Sequence, residues 1–131
     1  METVLTYGTY DLFHVGHVRL LQRLRALGDR LVVAVSTDEF NASKGKEATY
    51  PFEQRAEIVQ ACRYVDEVIA ETAWEQKPTD IEQTGATVLG MGDDWVGRFD
   101  HLSAFGVRVV YLPRTPLVST TSLIAEIRSS G

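Results

Sequence analysis

Apolar residues recur in this chain with two rhythms, short unbroken runs and a three-to-four-residue helical spacing. Val4 to Tyr7 is a brief apolar run and predicts a buried strand. Leu31 to Val35 is continuous and β-branched, the mark of a strand covered on both faces. Between them, Val18, Leu21, Leu24 and Leu27 share one helical face and predict a helix from His17 to Leu27. Gly28 follows as its natural stop. Pro51 to Arg63 predicts a second helix, with Pro51 at or near its start. Val65 to Ala70 reads as a third strand, Pro78 to Thr84 as a short helix, and Thr87 to Met91 as a fourth strand. Phe99 to Phe105 reads as a further helix, Val107 to Leu112 as a fifth strand, and Thr121 to Arg128 as a terminal helix. Asn41 to Thr49 is polar and basic, which predicts a mobile loop.

Strands alternating with helices predict an α/β, Rossmann-like parallel sheet of about five strands with helices on both faces. Right-handed crossovers would set the loops after the strands along one edge, where such folds bind ligands. At 131 residues, residues 1–131 are read as a single domain. The net charge of −5 argues against general binding to nucleic acid or to anionic membranes. A small anionic substrate would therefore need a local basic pocket. One cysteine, Cys62, leaves no intrachain disulfide and fits a reducing cytoplasm. No apolar run reaches membrane-spanning length and no signal-peptide pattern opens the sequence, so a cytoplasmic protein without membrane insertion is expected.

The candidate chemistry begins directly after the first strand, at Gly8-Thr9-Tyr10-Asp11-Leu12-Phe13-His14-Val15-Gly16-His17. His14 and His17 fall three apart at a helix start, on one face. Gly16 between them lets a phosphate approach the backbone. Helix N–H groups, the dipole and two imidazole donors suit a polyphosphate. Two surface histidines at chance spacing, or a zinc site, are the alternatives. The zinc reading lacks a third ligand, since His101 is distant and Cys62 isolated. A second anion-ready helix start is Arg114-Thr115-Pro116-Leu117-Val118-Ser119-Thr120-Thr121. Ser119, Thr120 and Thr121 offer hydroxyls and backbone N–H groups, and Arg114 a guanidinium fork. Lys44 and Lys46 could form a basic lid or merely a solvated loop, and Lys77 is a weaker candidate of the same kind. Asp93 and Asp94, behind Gly90 and Gly92, could bind ribose hydroxyls or a metal, or simply cap a turn. Arg63 and Asp66 read as an ordinary surface pair.

Longer strings carry a family resemblance. They are Thr6-Tyr7-Gly8-Thr9-Tyr10-Asp11, His14-Val15-Gly16-His17, Ser36-Thr37-Asp38-Glu39-Phe40-Asn41, Arg63-Tyr64-Val65-Asp66-Glu67-Val68-Ile69, Trp74-Glu75-Gln76-Lys77, Met91-Gly92-Asp93-Asp94-Trp95 and Tyr111-Leu112-Pro113-Arg114-Thr115. Together they span nearly the whole chain, which resembles the bacterial glycerol-3-phosphate cytidylyltransferases of the H-x-G-H nucleotidyltransferase superfamily. The resemblance implies that Thr9, Tyr10, His14 and His17 hold the CTP phosphates. Lys46, Asp94 and the segment Arg114, Thr115, Ser119, Thr120 and Thr121 would complete the CTP site. Lys44 and Lys77 would bind the glycerol phosphate, and His14, His17, Lys44 and Arg114 would serve catalysis. The family's glycine two residues after Arg-Thr is here Leu117, preceded by Pro116. The implied reaction is CTP plus glycerol 3-phosphate to CDP-glycerol and pyrophosphate, for a wall or capsule polymer. Mg²⁺ would arrive with CTP, and the enzyme would be a homodimer. The alternatives are cytidylyl or adenylyl transfer to another polyol or amino-alcohol phosphate, and a nucleotide-binding module without turnover.

Overall fold

The computed structural model describes residues 2–113. Five strands form one sheet: β1 (Thr3–Gly8), β2 (Arg30–Ser36), β3 (Glu67–Glu71), β4 (Ala86–Gly92) and β5 (Arg108–Leu112). All four neighbouring pairs are parallel, in the order β3-β2-β1-β4-β5. Among the described residues, four α-helices accompany them: α1 (Val15–Arg25), α2 (Asp38–Ser43), α3 (Phe52–Ala61) and α4 (Lys77–Thr84). The α/β parallel architecture is the one expected from the sequence, with element ends shifted by a few residues.

The continuous apolar strands are explained by burial on both sides. In β2, Leu31, Val33 and Val35 face a layer with Leu21 and Leu24 of α1 and Val59 of α3. Val32 and Ala34 face the opposite layer, with Ile81 of α4 and Leu102. Neighbouring residues of β1 divide the same way, Val4 to one layer and Leu5 to the other. Gly90 lets α1 seat closely on β4: a Cβ there would stand 2.4 Å from Leu24 Cδ2.

Two sequence expectations need correction. Asn41 to Thr49 is not a loop throughout, because Asn41 to Ser43 finish α2. Thr37 caps that helix by accepting the Phe40 N–H, and Phe40 and Asn41 are buried. The segment expected as a helix from Phe99 to Phe105 is a 3-10 helix, Asp100–Phe105. Further 3-10 turns cover Trp74–Gln76 and Asp93–Trp95. The expected helix Thr121 to Arg128 lies outside the described residues.

The chain steps outward from β1 to β2 to β3, then returns to the other side of β1 as β4. The strand order therefore reverses beside β1. A crevice opens at such a point, outside the carboxyl ends of the strands. The β1 exit carries Thr9 to His14, and the β4 exit carries Asp93 and Asp94.

Candidate active site

The loop between β1 and α1 is held in an unusual shape. Tyr10 and Leu12 have φ of 53° and 48°, a left-handed conformation that non-glycine residues adopt at a cost of about 1–3 kcal/mol each. Surrounding contacts enforce it. Tyr10 is buried among Leu21, Val35 and Val59, and the Asp11 carboxylate accepts the N–H groups of Thr49 (2.7 Å) and Tyr50 (2.9 Å). Asp11 thus ties this loop to the segment that follows Lys46. The Tyr10 phenol belongs to the core, edge-on to the His17 ring at 5.5 Å. Tyr10 is thus placed to shape the loop.

His14 is the N-cap of α1 and His17 the third residue of its first turn. Their rings cap the helix themselves. His14 Nδ1 accepts the Gly16 N–H at 3.0 Å, and His17 Nδ1 accepts the His14 N–H at 3.1 Å. The result is a reciprocal capping box built from two imidazoles in place of hydroxyl and carboxylate. The rings stack with centroids 4.0 Å apart, and Phe13 stacks on His17 at 5.3 Å. An Nδ1 that accepts carries no proton, so each neutral ring bears its hydrogen on Nε2. Each histidine is then a neutral donor through Nε2. Burial lowers the pKa of His14. Burial, reinforced by the nearby His14 and opposed by Asp11, brings His17 down to about 4.

This depression has a testable sign. Between the unfolded value of about 6.5 and the folded value of about 4, the unfolded chain holds the His17 proton and the folded chain does not. The contribution to stability is therefore complete above pH 6.5 and is lost as pH falls towards 4. An NMR titration of the imidazoles is expected to show no His17 midpoint near 6.5. A midpoint there would mean that the imidazole cap is not formed.

Below this loop lies a guanidinium that sequence reasoning missed. Arg55 of α3 is fully buried. Its Nη1 donates to the carbonyls of Thr9 (2.9 Å) and Ser36 (2.8 Å), and its Nε to that of Tyr50 (2.9 Å). Its Nη2 pairs with Asp38 Oδ1 at 2.7 Å. One side chain thus joins the exits of β1 and β2, the start of α2 and the loop beyond Lys46. Thr9 is further fixed through its hydroxyl, which accepts from Ser36 Oγ at 3.1 Å and reaches Asn41 Oδ1 at 3.5 Å.

The lysines separate into two places. Lys44, the C-cap of α2, lays its ammonium over the Phe40 ring at 4.4 Å and the Trp74 ring at 5.3 Å. Lys77, the first residue of α4, brings its own to 5.1 Å from the same Trp74 ring. The structure therefore brings Lys44 and Lys77 together around Trp74, beside a cleft of about 630 Å³ lined in part by Lys77, Trp95 and Phe99. Burial lowers the Lys44 pKa, Glu71 opposes this, and Lys46, Lys77 and Arg55 add to it. Lys46 itself is exposed, in a second cleft of about 670 Å³ with Asp38, Glu47 and Thr49.

Asp94 is exposed in the 3-10 turn at the β4 exit. Asp66 takes Arg25 as its ionic partner, at 3.2 Å, and accepts the Leu31 N–H at 2.8 Å. It is not the partner of Arg63, which lies over the Tyr64 ring. Arg114, Thr115, Ser119, Thr120 and Thr121, with Pro116 and Leu117, lie outside the described residues. Among the described residues, no three His, Cys, Asp or Glu side chains converge as a metal-holding set. No helix among them is long and apolar enough to cross a membrane.

Comparison with known proteins agrees with this geometry. Residues 5–126 match the model of the cytidylyltransferase-like family. The chain is 54% identical over 127 residues to glycerol-3-phosphate cytidylyltransferase of Bacillus subtilis, covering 97% of this chain and 98% of that protein. It is 50% identical to the Staphylococcus aureus enzyme of the same name, covering 97% and 96%. In fold it is similar to a lipopolysaccharide core biosynthesis protein from Thermoplasma volcanium, with a TM-score of 0.78, 22% identity, and coverage of 88% and 98%. Strand order, the imidazole-capped helix at the β1 exit and near-complete coverage at this identity lead to one conclusion: the chain belongs to the cytidylyltransferase-like family.

Proposed function

We propose that this protein transfers the cytidylyl group of CTP to glycerol 3-phosphate, giving CDP-glycerol and pyrophosphate. The relatives at 50–54% identity bear that name. Within the structure, the observation that carries the reading is the imidazole pair at the β1 exit. Both Nδ1 atoms are taken by the helix start, so each ring can serve phosphate only as an Nε2–H donor. That suits a transfer in which charge must be stabilised and no protein group need take a proton.

A phosphate oxygen of glycerol 3-phosphate forms a bond to the α-phosphorus of CTP. The bond from that phosphorus to the bridging oxygen breaks, and pyrophosphate departs with the electron pair. No covalent enzyme intermediate is required. His14 and His17 donate to phosphate oxygens as negative charge builds, and Lys46 and Arg114 neutralise it. Thr9, Asp94, Thr115, Ser119, Thr120 and Thr121 complete the CTP site, with Tyr10 shaping its floor. Lys44 and Lys77 receive the acceptor phosphate. Mg²⁺ enters as part of the substrate, bound to the triphosphate. We further infer a cytoplasmic homodimer, which sedimentation of the purified protein tests.

The deciding assay is pyrophosphate release with a panel of nucleotides and acceptors. CTP with glycerol 3-phosphate is expected to exceed ATP, and to exceed phosphoethanolamine as acceptor. Binding of CTP without pyrophosphate release would overturn the enzymatic reading. Within that assay, Lys44→Ala is expected chiefly to raise KM for glycerol 3-phosphate, and Lys46→Ala chiefly to raise KM for CTP. Equal effects of both on both substrates would reduce the pair to a generic basic lid.

A further inference from the structure

Lys77 is an unusual cation because it is almost wholly enclosed. Its side chain is 4% exposed and that of Glu71 is 5% exposed. The ammonium stands 4.5 Å from the centre of the Tyr7 ring, 5.1 Å from Trp74 and 5.1 Å from Phe99. Glu71 Oε2 accepts from it at 3.3 Å. A ring face attracts the charge but accepts no strong hydrogen bond. An ammonium has three donors, so the box holds its charge while the Glu71 bond engages one of them.

The other carboxylate nearby is committed elsewhere. Asp80 Oδ2 accepts the Tyr7 hydroxyl at 2.7 Å and Gln76 Nε2 at 2.8 Å. Glu71 therefore supplies the fixed anionic contact for Lys77. It ends β3, and its backbone carbonyl accepts the Thr37 N–H at 3.0 Å beside the start of α2, the helix that ends at Lys44. Burial pushes its carboxyl above the usual range, while Lys77 and Lys44 hold it down. Asp80 adds a second negative charge nearby and raises the Glu71 carboxyl further.

We propose that Glu71 is a positioning residue for the acceptor: its carboxylate fixes the Lys77 ammonium in the aromatic box, so that the remaining donors meet the acceptor phosphate. This rests on reading Lys77 as a contact to that phosphate. A long, flexible lysine is otherwise a poorly directed point charge. A desolvated ammonium with its geometry set in advance binds phosphate without first shedding water.

The test uses the full-length protein and four variants: Glu71→Gln, Glu71→Asp, Lys77→Met and the double change Glu71→Gln with Lys77→Met. Glu71→Gln keeps the size and removes the charge. It is expected to raise KM for glycerol 3-phosphate about tenfold, with KM for CTP within about twofold of wild type. Glu71→Asp keeps the charge on a shorter arm and should recover part of the loss, and it serves alone if Glu71→Gln does not fold. In the Lys77→Met background, Glu71→Gln should add nothing. Additive effects, a lowered acceptor KM, or equal rises in both KM values would overturn the proposal. If Lys77→Met raises acceptor KM and the Glu71 variants do not, Glu71 has no such role and the acceptor site stands. If Lys77→Met itself leaves acceptor KM unchanged, the assignment of Lys77 fails, and this proposal with it.

Discussion

His14→Asn is expected to leave the protein folded and to lower turnover by about 10²–10⁴-fold. The asparagine Oδ1 can take the place of Nδ1 and accept the Gly16 N–H, since asparagine is among the best N-caps. It offers nothing where Nε2–H stood. His17→Gln follows the same logic, because glutamine at the third position of a helix can reach back to the cap N–H. His14→Ala and His17→Ala lose the donor and the cap together, so each adds about 1 kcal/mol of destabilisation to the same loss of turnover. The comparison separates the two duties of each ring. Melting temperature reports the Nδ1 side and steady-state turnover the Nε2 side. Near-normal turnover in folded His14→Asn and His17→Gln would remove both imidazoles from the chemistry.

The largest loss of stability is expected from Arg55→Met. Four hydrogen bonds disappear, and the carbonyls of Thr9, Ser36 and Tyr50 lose their guanidinium donor. The half-exposed Asp38 carboxylate returns to water, but each carbonyl left dry without its donor costs about 1–3 kcal/mol, so a total of about 3–5 kcal/mol is expected. Arg55→Lys keeps the charge but not the planar fork, and cannot serve four acceptors in four directions. It should recover less than half of the loss. Urea unfolding measures both. A midpoint for Arg55→Met that translates to under about 1 kcal/mol of destabilisation would show that the three carbonyls find other donors. CTP affinity should fall in both variants, since Thr9 and the segment after Lys46 are held through this one group.

How much of this was legible follows from how local each feature is. The histidine pair could be read because its meaning lies within four residues and one helix turn. The strands could be read because burial on both faces writes itself as an unbroken apolar run. The helix α2 was hidden: six residues contain no stripe, and Phe40 is its one large apolar anchor. Arg55 left a faint signal, since Phe52, Arg55 and Val59 share one helical face and a charge stands on an otherwise apolar stripe. Its purpose was not readable, because its acceptors are backbone carbonyls of Thr9, Ser36 and Tyr50, distant in sequence and blind to residue type. Lys77 stood out as a candidate cation while Glu71, six residues earlier, carried no signal, because only the fold brings the two together and surrounds the ammonium with Tyr7 and Phe99. For Tyr10 the family resemblance implied contact with phosphate, while tertiary packing turns its phenol into the core.

The order β3-β2-β1-β4-β5 has a consequence for how the chain is made. Synthesis delivers β1, β2 and β3 first, and these can pair as half a sheet. One side of β1 then waits until Ala86–Gly92 emerge from the ribosome. Throughout that interval the central strand of the finished protein is an edge strand, apolar on both faces and open to any passing strand. The same strand ends in the loop that carries Thr9 and the histidine cap. The nucleotide crevice therefore cannot exist before the second half of the chain arrives, and the nascent protein is most vulnerable to wrong pairing at the strand on which its activity depends.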